Sequence, residues 1–278
     1  MSEARNIKMM IFDTHAHYDD EAFDADRDVL LESMPERGIG AVANIASTIG
    51  SNEKCLELAH RYEHVFCALG VHPTECEPMT EETIEYLRGV LRDPKAVAVG
   101  EIGLDYYWEN VEPSIQKKWF IRQLELAKEL GKPVVIHSRS AAKETFDILR
   151  DSGIGETNGG VVHCYSYSAE MALEYVKMGF HIGVGGVITF KNARKLVETV
   201  EAVPLSRIVL ETDCPYLAPV PYRGKRNNSG YLPLVAEKIA EITGRTSGEV
   251  IAVTTKNALD LYRLHGSAVA DTKKGGGL

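Results

Sequence analysis

Short apolar runs rich in β-branched residues alternate with amphipathic stretches along nearly the whole chain, and that rhythm most restricts its fold. The runs lie near 9–15, 41–47, 65–71, 96–102, 133–137, 160–164, 181–186 and 207–211. Between them helices are expected near 21–37, 51–62, 80–92, 114–130, 140–150, 168–178, 192–202 and 229–242, with another near 247–263. In the fourth of these, Ile115, Trp119, Gln123, Leu126, Ala127 and Leu130 fall close to one face, while Lys117, Lys118, Arg122, Glu125 and Lys128 take the others. Such alternation implies parallel strands, and roughly eight repeats close into a (β/α)8 TIM barrel. An open doubly wound sheet is the competing architecture, but the G-x-G-x-x-G turn such sheets often carry is missing after the first run. Thr80 is expected to cap the third helix without a reciprocal partner, because Thr83 stands where a capping box calls for Glu or Gln.

A chain of 278 residues suits one barrel of about 250 residues. A single domain is expected over 1–265, with the Gly- and Lys-rich stretch 266–278 as a disordered tail. No apolar run reaches the ~18 residues a membrane span needs, and the N-terminus lacks a secretory apolar region, so a cytoplasmic protein is expected. Five cysteines without a C-x-x-C pair argue against a disulfide framework and exclude a zinc ribbon. Cys164 and Cys214 each follow a candidate ligand, and strand alternation would turn them away from it. The net charge of −9, with no basic run, excludes the long phosphate-neutralising contacts of most nucleic-acid binders. A nucleic-acid substrate would have to be gripped briefly, at a chain end, with metal ions supplying much of the positive charge.

The apolar runs end repeatedly in histidine or carboxylate. His15 and His17 close the first, at a spacing that places both on one side of a strand, with Asp19 and Asp20 just beyond. Glu101 closes the fourth, His137 the fifth, His163 follows the sixth and Asp213 the eighth. In a fold that gathers strand ends at one face, these six side chains meet. Imidazole nitrogens with carboxylate oxygens suit divalent ions such as Zn, Mn, Fe or Ni, and a shared carboxylate can bridge two of them. Glu101 is the expected bridge, because a buried carboxylate without a cationic partner is costly. His137 and His163 supply nitrogens for a second ion. Asp213 is expected both to ligate the first ion and to take a proton from attacking water.

The H-x-H pair resembles the opening of the amidohydrolase-like barrels. No lysine lies between Ala96 and Asp105 to serve as the carbamylated bridge many of them use. A longer set of motifs resembles the TatD family of metal-dependent deoxyribonucleases, essentially from Phe12 to Leu261. It comprises Asp13-Thr14-His15-Ala16-His17, Gly70-Val71-His72-Pro73, Gly100-Glu101-Ile102-Gly103-Leu104-Asp105-Tyr106 and Ile136-His137-Ser138-Arg139. It continues with His163-Cys164-Tyr165-Ser166, Glu211-Thr212-Asp213-Cys214-Pro215-Tyr216-Leu217-Ala218-Pro219 and Arg223-Gly224-Lys225-Arg226-Asn227. The resemblance implies two divalent ions (Mg, Zn or Mn), one held by His15, His17, Glu101 and Asp213, the other by Glu101, His137 and His163. It also implies Mg-supported nuclease activity, a place for His72 beside the scissile phosphate, and a supporting or substrate-positioning role for Asp105. Tyr167 stands where the family usually has glycine and Asn228 where it usually has glutamate. Both are loop positions that bear on substrate preference rather than chemistry.

The expected activity is metal-assisted hydrolysis of DNA phosphodiester bonds, as an exonuclease on single-stranded or frayed ends, by a monomer. Arg139, Arg223 and Arg226 are fork-shaped donors suited to phosphate or to the protein's own carboxylates, and Lys191 can meet a phosphate or remain a solvated surface group. The Gly183-Val184-Gly185-Gly186 stretch is expected to let backbone approach a phosphate closely. Tyr106, Tyr107 and Trp108 can stack on a terminal base or pack on a neighbouring loop. Two rival functions share the sequence: a hydrolase of the same superfamily acting on an ester, lactone or amide, and a non-catalytic metal-binding scaffold.

Overall fold

The computed structural model describes residues 10–265, so the expectations for the first nine residues and for the tail at 266–278 lie outside the described residues. Eight strands, β1 (Ile11–Ala16), β2 (Ile39–Ile45), β3 (Val65–Leu69), β4 (Ala96–Asp105), β5 (Val134–Arg139), β6 (Gly160–Val162), β7 (Phe180–Val184) and β8 (Ile208–Leu210), form one sheet in chain order. Every neighbouring pair is parallel. The ring closes just past the end of β8, where Cys214 bridges to Ala16 of β1. There Asp213 N–H donates to His15 O and His17 N–H donates to Cys214 O, each at 2.9 Å. The seam that makes the sheet a barrel thus runs through three of the expected metal ligands.

The intervening helices are α1 (Arg27–Ser33), α2 (Ser51–Arg61), α3 (Glu81–Val90), α4 (Pro113–Leu130), α5 (Ala142–Ser152), α6 (Ile154–Thr157), α7 (Ala169–Lys177), α8 (Arg194–Ala202), α9 (Leu232–Thr243) and α10 (Ser247–Leu261). Alternation splits the strands' side chains between two cores. Outward residues such as Val42, Leu69, Ile136, Ile182 and Leu210 pack with Leu58, Leu124, Val200 and Val250 from the helices. Inward residues Phe12, Ala43, Phe66, Val135, Val161 and Val209 form a second cluster, closed by Ala258, Leu261 and Tyr262 at the end of α10. His137, His163 and Glu211 each follow one of these inward valines by two residues, so the same alternation that fills the barrel aims them into it.

Element boundaries differ from expectation where side chains, rather than hydrophobic pattern, decide them. β4 runs on to Asp105 instead of stopping near 102, which leaves Glu101 mid-strand. Gly103 permits this (φ 149°), because a Cβ there would run into the His137 carbonyl oxygen on β5. The helix expected over 21–37 is a 3-10 turn at Glu21–Phe23 followed by α1. Asp20 caps that turn through Ala22 N–H at 2.7 Å, and the Arg27 guanidinium ties Asp20 O and the Asp24 carboxylate together at 3.0 and 2.6 Å. At α3 the reciprocal half of the capping box is present after all: Thr80 N–H donates to the Thr83 hydroxyl at 3.1 Å, a shorter side chain doing what Glu or Gln would. β6 and β8 end before Cys164 and Cys214, so strand alternation does not govern those thiols; all five cysteines are free.

Tyr262 closes the barrel floor and donates its hydroxyl to Thr14 O at 2.8 Å, next to His15 on β1. Tyr262→Ala is expected to cost about 3–5 kcal/mol of stability by denaturant unfolding. Tyr262→Phe, which removes only the hydroxyl, is expected to cost about 1–3 kcal/mol.

Candidate metal centre

The six expected ligands meet above the inner core. Glu101 lies at their middle, almost wholly buried, and its two oxygens face different partners. Oε1 is 2.8 Å from His137 Nδ1 and 2.7 Å from His163 Nε2. Oε2 is 3.5 Å from His15 Nε2 and 4.0 Å from His17 Nε2. Asp213, just past β8 in a left-handed conformation (φ 54°), directs Oδ1 to 3.7 Å from His15 Nε2 and 3.3 Å from His17 Nε2. His17 Nδ1–H donates to Ile45 O at 2.8 Å, which directs Nε2 toward His15, whose Nε2 is 3.1 Å away.

This donor set fits divalent cations. Neutral imidazole lone pairs facing carboxylate oxygens repel unless a proton or a cation lies between them, and the cluster is too buried for water to screen it. The protein by itself recruits protons. Burial disfavours the charged form of His17, yet Asp213, Glu101 and Asp19 outweigh it and raise its pKa to about 9. Burial is likewise outweighed at His163, where Glu101, Glu211 and Asp213 raise it to about 10. Against the same penalty, Glu101 is held well below the usual carboxylate range by His163, His15 and His137. His15 goes the other way, lowered to about 4 by burial and by the charge of His163, with its Nδ1 unpartnered. Positive charge is drawn to both sides of Glu101, where two groups, His15, His17 and Glu101 on one side and Glu101, His137 and His163 on the other, each bring possible ligand atoms within 4.8 Å of one another.

Neighbouring groups set the orientation of the rings. His137 Nε2–H donates to Asp105 Oδ2 at 2.9 Å, leaving Nδ1 for the Glu101 side, an arrangement that fixes tautomer and raises ligand basicity. Asp105 is itself held by Gln116, which receives its N–H and donates to its carbonyl, both at 2.9 Å. His72 follows β3; its Nδ1 accepts Thr74 N–H at 3.2 Å, so the neutral ring presents Nε2–H, 3.9 Å from Glu101 Oε1. Burial and the neighbouring His137 lower its pKa to about 3, so it is a neutral donor at physiological pH.

Two buried carboxylates were not anticipated. Asp13 accepts Thr212 N–H at 3.0 Å, the Thr212 hydroxyl at 2.7 Å and the Ser229 hydroxyl at 2.6 Å, which pins β1 to the segment carrying Asp213. Burial raises its pKa to about 6. Glu211 accepts Cys164 N–H at 2.5 Å, fixing the turn after His163, and burial raises its pKa to about 8. The available signal was their place two residues before a ligand on an otherwise apolar strand. Gly183 is the counterpart of Glu211: a Cβ there would collide with the carboxylate, and one on Gly186 would collide with Leu217 O. The close approach expected of these glycines is therefore made by the protein's own groups.

Of the expected substrate contacts, His72 and Asp105 adjoin the cluster, whereas Arg139, Arg223, Arg226 and Lys191 lie outside it and differ among themselves. Arg139 stacks its guanidinium over Tyr107, 3.7 Å from the ring centroid. Arg223 stacks over Phe190 at 3.8 Å and lines an open cavity of about 490 Å3 with Tyr216 and Lys225. Arg226 lines the same cavity, but it forms a two-pronged pair with Asp26 (2.5 and 2.8 Å) and donates to Ala22 O, so its fork is engaged within the protein. Lys191 is exposed on the turn following the 3-10 segment Gly186–Thr189. Tyr106 donates to Glu144 at 2.7 Å, whereas Tyr107 and Trp108 are exposed. Of the two loop departures, Asn228 caps the turn at Ser229–Tyr231 through Gly230 N–H at 3.0 Å, and the Tyr167 hydroxyl is 3.0 Å from that of Ser138, beside His137.

Comparison with known proteins identifies the family. A family model described as TatD related DNase matches residues 12–263. The uncharacterized metal-dependent hydrolase YabD of Bacillus subtilis is 40% identical over 256 residues, spanning 92% of this chain and 100% of the relative. The uncharacterized metal-dependent hydrolase YcfH of Escherichia coli is 35% identical over 262 residues, spanning 93% and 98%. The crystal structure of YjjV, a TatD homolog from Escherichia coli, superposes with a TM-score of 0.86 at 31% identity, covering 92% of this chain and 99% of the other. This barrel, with its buried histidine and carboxylate clusters able to bind metal, belongs to the TatD family of metal-dependent hydrolases.

Proposed function

We propose that the protein is a deoxyribonuclease that hydrolyses phosphodiester bonds from the ends of single-stranded or frayed DNA. The carrying observation is the Glu101 carboxylate, whose oxygens face two separate pairs of imidazoles. On this reading His15, His17, Glu101 and Asp213 hold one divalent ion, and Glu101, His137 and His163 hold the other, with Mg, Zn or Mn as the candidates. When bound, the ions supply Lewis acidity, which makes water acidic near neutral pH and offsets charge on phosphate oxygens. Asp213 accepts the proton of the attacking water; although burial opposes its ionisation, His17, His163 and His15 keep its pKa below the ordinary carboxylate value. His72 donates Nε2–H toward the phosphate, and Asp105 and Ile45 O hold the His137 and His17 rings in the required tautomers. Arg139 and Arg223, each stacked on a ring near the strand ends, present guanidinium groups to flanking phosphates. The family's description as a DNase supports DNA as substrate, and the charge of −9 supports a brief, end-directed contact.

Chelation of divalent ions is expected to abolish cleavage of an end-labelled single-stranded oligonucleotide, with activity returning on addition of Mg, Mn or Zn. The product ladder should shorten one nucleotide at a time from a single end; fragments from internal cuts would refute the exonuclease assignment. Glu101→Gln is expected to lower bound metal from two equivalents per chain, measured by elemental analysis, and to reduce kcat/KM by at least about 10^3. Asp105→Asn should retain the fold by circular dichroism while weakening metal affinity by about 10- to 100-fold in calorimetric titration.

A further inference from the structure

Beside the centre lies an exposed aromatic pair that no step above employs. Tyr107 and Trp108 are 55% and 54% exposed, on the loop that leaves β4. Their rings meet edge to face, with centroids 5.0 Å apart. Large rings left in water adjoining a reactive site are more informative than scattered surface apolar groups. Their backbone is not free to drift: Asp105 Oδ1 accepts Tyr107 N–H at 2.9 Å and Trp108 N–H at 3.3 Å. The other oxygen of that carboxylate holds His137. One buried side chain therefore sets the distance between the aromatic pair and a candidate metal ligand.

Arg139 completes the arrangement. It stands two residues past His137 on β5, opposite Asp105 in the sheet register, so it emerges on the same side as that ligand. Its guanidinium carbon lies 3.7 Å from the Tyr107 centroid and 5.7 Å from that of Trp108. Among the described residues it forms no ion pair with a carboxylate. An unpaired guanidinium resting on a ring offers a flat π-stacking surface together with a charge for an adjacent phosphate.

We propose that Tyr107, Trp108 and Arg139 form a stacking platform for the nucleobase next to the scissile phosphate. The inference rests on the phosphodiesterase reading and narrows it: the substrate is recognised by a base as well as by its backbone. Stacking is tolerant of base identity, because every base has a π face, so the platform confers a requirement for a base without a sequence preference.

The test is equilibrium binding of a cleavage-resistant phosphorothioate tetranucleotide to the metal-loaded protein, followed by fluorescence anisotropy. Its counterparts carry an abasic residue at one end or the other, tested separately. Removing the base at the engaged end is expected to weaken binding to the wild-type protein about tenfold. In Trp108→Ala and Tyr107→Ala the same removal should make almost no difference, and Trp108→Phe should restore most of the dependence. Equal losses in wild type and variants would overturn the platform, as would binding indifferent to either base. If strand-end cleavage persists in the activity assay while binding is indifferent to the base, only the platform falls. If neither binding nor cleavage occurs, the phosphodiesterase reading falls with it.

Discussion

Burial of the Glu101 carboxylate among imidazoles is the constraint around which the rest of the site is arranged. A carboxylate so deep in a barrel is tolerable only if positive charge lies close to both of its oxygens. His137 and His163 approach one oxygen, while His15 and His17 approach the other. The carboxylates around His17 and His163 raise the pKa of both rings against the penalty of burial, so this geometry favours cations. Divalent ions answer the same demand with a defined number of ligands, which is why metal dependence follows from the electrostatics as well as from family membership.

Fold closure and the placement of the candidate ligands depend on one another. The sheet becomes a ring through hydrogen bonds made by His15, His17, Asp213 and Cys214, and Asp13 clamps the two sides of that seam through Thr212 and Ser229. A side chain that weakened the clamp would disturb the barrel and the candidate ligand set together. On the opposite side, Gly103 lets β4 lie close against β5, carrying Asp105 up to His137. Gly183 makes the space in which Glu211 braces the turn after His163.

Much of the architecture was legible because hydrophobic periodicity is a local property that survives without coordinates. The strands and most of the helices appear near their expected positions, and the fold follows from their alternation. Boundaries moved where capping and side-chain bonds outweighed pattern, as at Asp20, Arg27, Thr83 and Gly103. Spacing also marked His15, His17, Glu101, His137, His163 and Asp213, since each ends or follows an apolar run. Asp13 and Glu211 escaped that reading, because a lone carboxylate within a strand or just past its end does not reveal whether its partners are ions, hydroxyls or backbone amides.

The chain's residues by themselves determined a parallel barrel with nitrogen and oxygen donors gathered at one end, because strand period and strand order dictate where inward side chains collect. Only the tertiary structure decided which donors share a carboxylate oxygen, and which guanidinium groups remain available. Arg226 is engaged by Asp26 from a distant loop, whereas Arg139 rests on Tyr107 without an acidic partner among the described residues. Such pairings join residues far apart along the polypeptide, and their energies depend on distances of a few tenths of an ångström. Linear order carries no record of those distances until the ring has closed.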